Sequence, residues 1–310
     1  MVEEPTTLSR PTRHRTKPSR RRILVRRAVA LGLVLGLVAL LVGSAMAVLG
    51  GGEEAAPPPA PVPVAPKPLK IIFPEGFTRA QMAERIGEVN KIAKQKRNVS
   101  PRLSPRRYLV QTSGSSRVPR PFLTEGPPPN LEGFLFPATY EFLPETTTAQ
   151  LINKQIVAFE KAWAKVDLAY AKSKNLTAYD VLIIASMVEK ETLAPEERPL
   201  VAAVIYNRLK AGMTLGIDAT LRYGLDIPPT ESIRQSQLES DNPYNTRCAG
   251  CTGLPPTPIA NPGLASLQAA AHPAKVDYLF FARNPDKQTH FFTANEAEFL
   301  RFLAEHGYGG

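Results

Sequence analysis

Two carboxylates stand at the end of an apolar stretch in the middle of the chain. Glu189 and Glu191 follow residues 181–188, of which only Ser186 is polar, so the helix that carries them should be buried on most sides. A carboxyl group at the end of a buried helix meets desolvation and the negative end of the helix dipole, and both raise its pKa. A carboxyl group with a raised pKa suits general acid catalysis.

Helical spacing alone does not decide which carboxylate is the acid. Glu189 and Glu191 lie about 200° apart around a helix, so at most one of them faces a given cleft. Each continues a different apolar stripe of the same helix. A second interpretation also fits this local pattern, in which both glutamates form a solvated helix end paired with Lys190 or Arg198.

Other polar residues offer a second carboxylate or a metal site. Asp218 could cap a helix, or it could be the partner carboxylate that a hydrolytic mechanism needs. Cys248 and Cys251 are the only cysteines, and outside the cytoplasm this pair predicts a local disulfide. The alternative is zinc bound by the two cysteines together with His272 and His290.

Long motifs fill the second half of the chain. They are LEGFLFP at 131–137 with Thr139-Tyr140, ASMVEKET at 185–192 with VAAVIYNRLKAGM at 201–213, and YNT at 244–246 with GLPPTPIANPG at 253–263 and AAAHPAK at 269–275. In order and spacing they resemble the YceG-like (MltG) family of endolytic murein, or peptidoglycan, transglycosylases. The resemblance covers about residues 131–303, with Ala138 at a position where the family often has an acidic residue.

The resemblance places the catalytic role on Glu191, the second glutamate of the E-K-E-T stretch. It implies a lyase-type reaction in which Glu191 first protonates the oxygen between N-acetylmuramic acid and N-acetylglucosamine. The carboxylate then accepts the proton of the muramic C6 hydroxyl as this hydroxyl attacks C1, which leaves a 1,6-anhydro end. Such a reaction needs no metal and no organic cofactor.

Candidate substrate-binding residues follow from the chemistry of glycans. Sugar sites need planar side chains that stack on the rings and polar groups that bind hydroxyl and N-acetyl groups. The candidates that meet these needs near the matched motifs are Asn207, Asp218, Tyr223, Tyr244 and Asn245.

Two further functions remain open beside the lytic transglycosylase. One is a peptidoglycan hydrolase that pairs Asp218 with Glu191, and the other is a non-catalytic wall-binding scaffold. The resemblance also implies a role in ending nascent glycan strands and an association with cell-wall synthases.

An apolar segment near the N-terminus predicts a membrane anchor. Residues 28–49 contain no charged residue, and about 20 such residues cross a hydrocarbon core. Basic residues precede the segment and Glu53 and Glu54 follow it, so the positive-inside rule places the N-terminus in the cytoplasm. A cleaved signal peptide is the alternative, with a small-x-small pattern at Ala45-Met46-Ala47. Either way, the rest of the chain is expected outside the bacterial cytoplasmic (inner) membrane.

The formal net charge of +10 is concentrated before this segment. Residues 1–27 contain nine Lys or Arg and two acidic residues, which is typical of a topology signal with affinity for anionic lipid. The small remaining charge gives no support to nucleic-acid binding.

The predicted organisation is a basic cytoplasmic tail (1–27), a transmembrane helix (28–49), a Gly/Pro-rich linker (50–69), a small LysM-like lobe with a mobile Arg/Ser/Pro-rich loop (70–130) and a catalytic domain (131–310). In the last two parts, periodicity and capping signals predict helices over 78–96, 148–172, 177–192, 196–211, 264–271 and 295–305, and strands over 71–73, 278–282 and 290–293. The fold class is therefore α+β, with a small α/β lobe and a mainly helical, lysozyme-like or YceG-like catalytic domain that contains a small β element.

Overall fold

The structure is a computed structural model that describes residues 20–49, 67–123 and 126–308. Most of the predicted basic tail and most of the predicted linker therefore lie outside the described residues. The chain divides into two units, Met1–Val64 and Ala65–Gly310.

The described residues form a mixed helical and β structure. Its helices are α1 (Arg20–Leu49), α2 (Arg79–Arg97), α3 (Pro105–Thr112), α4 (Thr148–Trp163), α5 (Ala169–Ser173), α6 (Ala178–Glu191), α7 (Arg198–Ala211), α8 (Asp218–Gly224), α9 (Gln235–Leu238), α10 (Leu264–Ala271) and α11 (Glu296–Glu305). Its strands are β1 (Leu69–Ile72), β2 (Thr139–Phe142), β3 (Phe280–Arg283) and β4 (His290–Thr293). Short 3-10 turns cover Arg120–Phe122 and Pro195–Glu197.

Helix α1 contains the predicted membrane segment. Residues Arg27–Met46 are long and apolar enough to cross a membrane, judged by length and composition, and large side chains such as Leu33 and Leu40 are exposed. A signal sequence near the N-terminus meets the same criteria. The helix therefore fits a retained membrane anchor and a cleaved signal peptide equally.

In the second unit, strand β1 pairs with a strand that is distant in sequence. Leu69 lies opposite Phe142 and Ile72 opposite Thr139 in an antiparallel ladder, so β1 from the predicted lobe and β2 from the predicted catalytic domain share one sheet. Helix α2 follows β1, and Thr78 with Gln81 forms the predicted capping box at its start.

The helix predicted over 148–172 is interrupted, so that prediction was too long. Helix α4 ends at Trp163, and a separate helix α5 begins at Ala169. Asp167 Oδ1 accepts a 2.9 Å hydrogen bond from the N–H of Ala169. This local bond lies in the turn between the two helices, one residue before the N-cap of α5.

Part of the Arg/Ser/Pro-rich segment expected to be a mobile loop is helical. Helix α3 begins after Ser104, whose Oγ accepts a hydrogen bond from the N–H of Arg107, and Pro105 occupies the first turn. Tyr108 is fully buried, and its hydroxyl donates a 2.8 Å hydrogen bond to Gln155 of α4. This buried anchor fixes a segment whose composition alone is typical of a loop.

The centre of the second unit is built from α6, α7 and α10. These helices pack on one another, and the apolar side chains of α6 are buried, with Leu182 and Ile184 both fully inaccessible. The stretch at 253–263 crosses α6, because the N–H of Ile259 donates a 3.0 Å hydrogen bond to Ser186 Oγ. Strands β3 and β4 form a second antiparallel pair that contacts α11 and α7.

Candidate active site

Helix α6 carries the two carboxylates expected to do chemistry. All eight residues from 181 to 188 are buried, and the helix ends at Glu191. Thr192 follows as the C-terminal cap, and its Oγ1 donates a 2.6 Å hydrogen bond to the carbonyl of Val188. Glu189 and Glu191 therefore lie where a buried helix reaches the edge of the core.

Glu189 is engaged in packing between helices. Its Oε2 accepts a 2.9 Å hydrogen bond from the N–H of Gly263, the residue before α10, and Arg198 Nη2 lies 3.9 Å from its Oε1. The Glu189 side chain is only 6% exposed. Arg198 in turn donates to Ser266 of α10, so this carboxylate fastens α10 and α7 to the end of α6.

Glu191 faces a different environment. It is partly exposed, yet surrounding protein desolvates it and raises the pKa of its carboxyl group to about 7. The negative charge of Asp218 also raises this pKa, whereas Arg283, Arg247 and the N–H of Ala219 act in the opposite direction. A carboxyl group that titrates near neutral pH and remains accessible can both donate and accept a proton.

Asp218 and Arg247 form an ion pair beside Glu191. Arg247 follows Asn245, whose Oδ1 accepts a 3.0 Å hydrogen bond from the N–H of Arg247. The Nδ2 of Asn245 donates to the backbone carbonyls of Leu238, the last residue of α9, at 2.9 Å and of Ser240 at 2.7 Å. Directly after Arg247, a disulfide joins Cys248 and Cys251. Asn245 and the disulfide therefore shape the loop that presents Arg247.

The two tyrosine candidates lie together. The rings of Tyr223 and Tyr244 meet edge to face, with centroids 5.1 Å apart. The Tyr223 hydroxyl donates a 3.1 Å hydrogen bond to Glu132, and the Tyr244 hydroxyl lies 2.8 Å from Thr257 Oγ1. Both rings are partly exposed, and their hydroxyl groups already have protein partners.

Asn207, on α7, is bonded to the segment that follows α10. Its Nδ2 donates hydrogen bonds to the backbone carbonyls of Val276 at 3.0 Å and Tyr278 at 2.9 Å. Of the five candidate substrate-binding residues, Asp218 is the one that acts directly on the Glu191 carboxyl group.

The sequence of the chain is similar to that of known proteins. Residues 60–305 match the profile of the YceG-like family. The chain belongs to this family. A protein of Streptococcus pneumoniae strain R6 named endolytic murein transglycosylase is 32% identical over 263 residues, which cover 79% of this chain and 46% of that protein. A Bacillus subtilis strain 168 protein with the same name is 31% identical over 240 residues, which cover 77% of this chain and 63% of that protein.

A solved structure supports the fold of this YceG-like chain. The crystal structure of a yceG-like protein from Listeria monocytogenes matches with a TM-score of 0.59 at 30% sequence identity, over 77% of this chain and 76% of that one. The two curated relatives are longer, and this chain spans about half to two thirds of their length.

Glu132, in the LEGFLFP stretch, is a buried carboxylate that was not among the predicted site residues. It is 2% exposed, and it accepts hydrogen bonds from the backbone N–H of Arg79 at 3.0 Å, from Asn261 Nδ2 at 2.7 Å and from Tyr223. Desolvation raises the pKa of Glu132 to about 7. An acidic residue set in an apolar run is the signal that could have identified it, since buried carboxylates are nearly always paired.

The geometry of the cysteines and histidines disfavours the alternative zinc site. The disulfide occupies both sulfur atoms, and His290 Nδ1 lies 2.6 Å from the buried Glu197 carboxylate. His272 lies 3.8 Å from Asp167 on the surface. Over residues 20–49, 67–123 and 126–308, no group of three His, Cys, Asp or Glu side chains is arranged to hold a metal ion.

Proposed function

We propose that this chain is a lytic transglycosylase that cleaves the glycan strands of peptidoglycan, with Glu191 as its single catalytic acid and base. The observation that carries the proposal is the environment of Glu191, which combines partial exposure with a pKa of about 7. Membership of the YceG-like family and the names of the two curated relatives support the same reaction class.

The proposed reaction balances with one carboxyl group. Protonated Glu191 donates its proton to the oxygen between muramic acid C1 and the next sugar, and the C1–O bond breaks. The C6 hydroxyl of the same muramic residue forms a new bond to C1, and its proton returns to the Glu191 carboxylate. The products are a free hydroxyl on the leaving sugar and a 1,6-anhydro end, and Glu191 is again protonated.

The surroundings of Glu191 favour this reaction over hydrolysis. A hydrolase needs a second carboxylate that acts as a base or nucleophile, and Asp218 is the nearby candidate. Asp218 is paired with Arg247, so a guanidinium already engages the carboxylate that a hydrolase would need free. Its remaining effect is electrostatic, because its negative charge keeps more of the Glu191 carboxyl group protonated.

The experiment is digestion of purified peptidoglycan by the full chain in detergent, with mass analysis of the released fragments. We expect 1,6-anhydro ends from the wild-type protein and none from Glu191→Gln. Glu189→Gln is the matched control, because it makes the same change two residues away on the same helix, and it should still produce anhydro ends. Reducing ends would indicate a hydrolase, no cleavage by the wild type would favour the scaffold, and full activity of Glu191→Gln would exclude Glu191 as the catalyst.

Anchoring by α1 would restrict this activity to glycan close to the membrane. The apolar length of α1 and the basic residues before it favour a single span with a cytoplasmic N-terminus and an exported second unit. New strands lie in that zone, so the proposed role is to end nascent strands, near the cell-wall synthases. Replacing α1 by a cleaved signal peptide should disturb the strand-length distribution in cells, and full complementation would contradict the need for an anchor.

The predicted LysM-like lobe stays a prediction. Residues 70–130 contribute most of β1, together with α2 and α3, to the second unit, and a glycan-binding role for this segment would extend the contact between the protein and its polymer.

A further inference from the structure

A groove lined by tyrosines lies between α5, α7 and the segment that follows α10. Its volume is about 530 Å³, within the range of roughly 300–1,000 Å³ that is typical of small-molecule sites. Glu191 is not among its lining residues. The side chains that could bind a ligand there are Tyr170, Tyr206, Asn207, Lys275, Asp277 and Tyr278.

We propose that this groove is a second carbohydrate-binding site, which holds N-acetylglucosamine units of the glycan while Glu191 cuts elsewhere on the strand. The identity of the ligand rests on the proposed function, since the polymer is the same. The site itself stands on four features of the groove.

The first feature is a set of aromatic rings whose orientation is fixed by contacts within the protein. The Tyr170 and Tyr206 rings contact each other with centroids 5.7 Å apart, and Lys174 lies over the Tyr170 ring. Tyr278 stacks on Phe292 at 5.9 Å. Tyr170 and Tyr278 remain partly exposed, so ring surface is available for the C–H faces of a sugar.

The second feature is an acceptor of fixed orientation. Both N–H groups of the Asn207 side chain are used by the carbonyls of Val276 and Tyr278. The amide therefore cannot flip, and its Oδ1 is the atom left to accept a hydrogen bond from a ligand. A sugar hydroxyl or the N–H of an N-acetyl group is a suitable donor.

The third feature is the charge of the groove. The exposed side chains of Lys275 and Asp277 contribute one charge of each sign, and Lys174 and Asp180 at the edge of the groove add one more of each. A cluster of positive charge favours an anion, whereas an uncharged sugar such as N-acetylglucosamine needs hydrogen-bonding groups without a net charge. The balance favours the glycan.

The fourth feature is the segment 276–279, which forms one wall of the groove. Hydrogen bonds hold this wall in place, and the chain continues from it toward Glu191. Besides the two bonds from Asn207, the wall is held by Arg208, whose Nε donates a 2.6 Å hydrogen bond to the carbonyl of Leu279. The same segment continues into β3, which ends at Arg283, and the charge of Arg283 acts on Glu191. One stretch of backbone thus borders the groove and then reaches the proposed active site.

Binding is measured with N-acetylglucosamine tetramer on the full chain in detergent. The chain carries Glu191→Gln, and the probe contains no muramic residue, so binding is read without cleavage. Tyr170→Ala and Tyr278→Ala should each raise Kd about threefold to tenfold, the loss of one stacking contact. Tyr308→Ala, which removes an exposed tyrosine outside the groove, should leave Kd unchanged.

A conservative variant separates stacking from folding. Tyr278→Phe keeps the ring and should bind within about twofold of the parent, while thermal unfolding shows whether the alanine variants are folded. On peptidoglycan, with Glu191 restored, Tyr278→Ala should raise KM and leave kcat unchanged. Unchanged Kd in folded alanine variants, or no binding by the parent, would overturn the groove site. Failure of the proposed function would appear differently, as the absence of anhydro ends from the wild type.

Discussion

Glu132 accepts a 2.7 Å hydrogen bond from the side-chain amide of Asn261, although 129 positions separate the two residues. The same carboxylate binds the backbone N–H of Arg79 at the start of α2 and the hydroxyl of Tyr223 on α8. One buried group therefore joins the LEGFLFP stretch, the proline-rich loop at 253–263, α2 and α8.

Removing this carboxylate should destabilise the fold. Glu132→Ala leaves the donors of Arg79, Asn261 and Tyr223 unpaired in the interior, and we expect a loss of about 2–4 kcal/mol in the free energy of unfolding. Denaturant unfolding of the full chain in detergent measures it. Glu141→Ala is the control, because Glu141 forms an exposed ion pair with Lys70, and its loss should cost less than about 1 kcal/mol. Equal losses of unfolding free energy in the two variants would contradict the role of Glu132 as a buried acceptor that joins these segments.

The pH profile of cleavage should follow the protonation of Glu191. Only protonated Glu191 can donate a proton to the glycosidic oxygen. The rate of cleavage should therefore fall as the pH rises through the pKa of about 7. Asp218→Asn removes a negative neighbour, lowers this pKa and should shift the fall to lower pH. Arg283→Gln removes a positive neighbour and should shift it to higher pH. Release of anhydro ends against pH is the measurement, and shifts in the same direction for both variants would contradict the assignment.

The same group should make stability depend on pH. Its folded pKa of about 7 exceeds the ordinary value of 4.5, so the folded state holds the proton more tightly. Tighter proton binding stabilises the folded state in full below pH 4.5, and this stabilisation is lost as the pH rises through 7. Glu191→Gln should therefore be more stable than the wild type at pH 8, by about 1–3 kcal/mol after allowance for solvent. Thermal unfolding at pH 4 should show no difference, and a variant less stable at pH 8 would exclude a raised pKa.

Gly133 should tolerate no side chain. It has φ of +90°, and a Cβ there would lie 2.7 Å from Pro258 Cγ. Gly133→Ala should lower stability by about 2–4 kcal/mol through backbone strain and overlap. Gly114→Ala is the matched control, since no atom lies within 4 Å of its Cβ position. Denaturant midpoints compare the two, and a neutral Gly133→Ala would show that the proline-rich loop can move away.

Short-range chemistry made several elements predictable. The capping boxes of Thr78 with Gln81 and of Thr177 with Asp180 form within four residues, so the starts of α2 and α6 follow from local sequence. The bounds of α10 and β4 were also predicted correctly, because apolar periodicity and turn residues delimit them. The break between α4 and α5 was missed, because residues 164–168 contain no Gly or Pro that would mark the end of a helix.

The sequence by itself determined that a carboxyl group ends a buried helix, that the chain has the YceG-like motifs and that an apolar segment precedes them. Only the tertiary structure decided that Glu189 fastens α10 while Glu191 faces Asp218 and Arg247. The reason is physical. Helical periodicity gives the angle between two side chains, but the partner that each one meets comes from residues far away in the chain. Pairing of β1 with β2 and the contacts of Glu132 arise in the same way, from groups that only folding brings together.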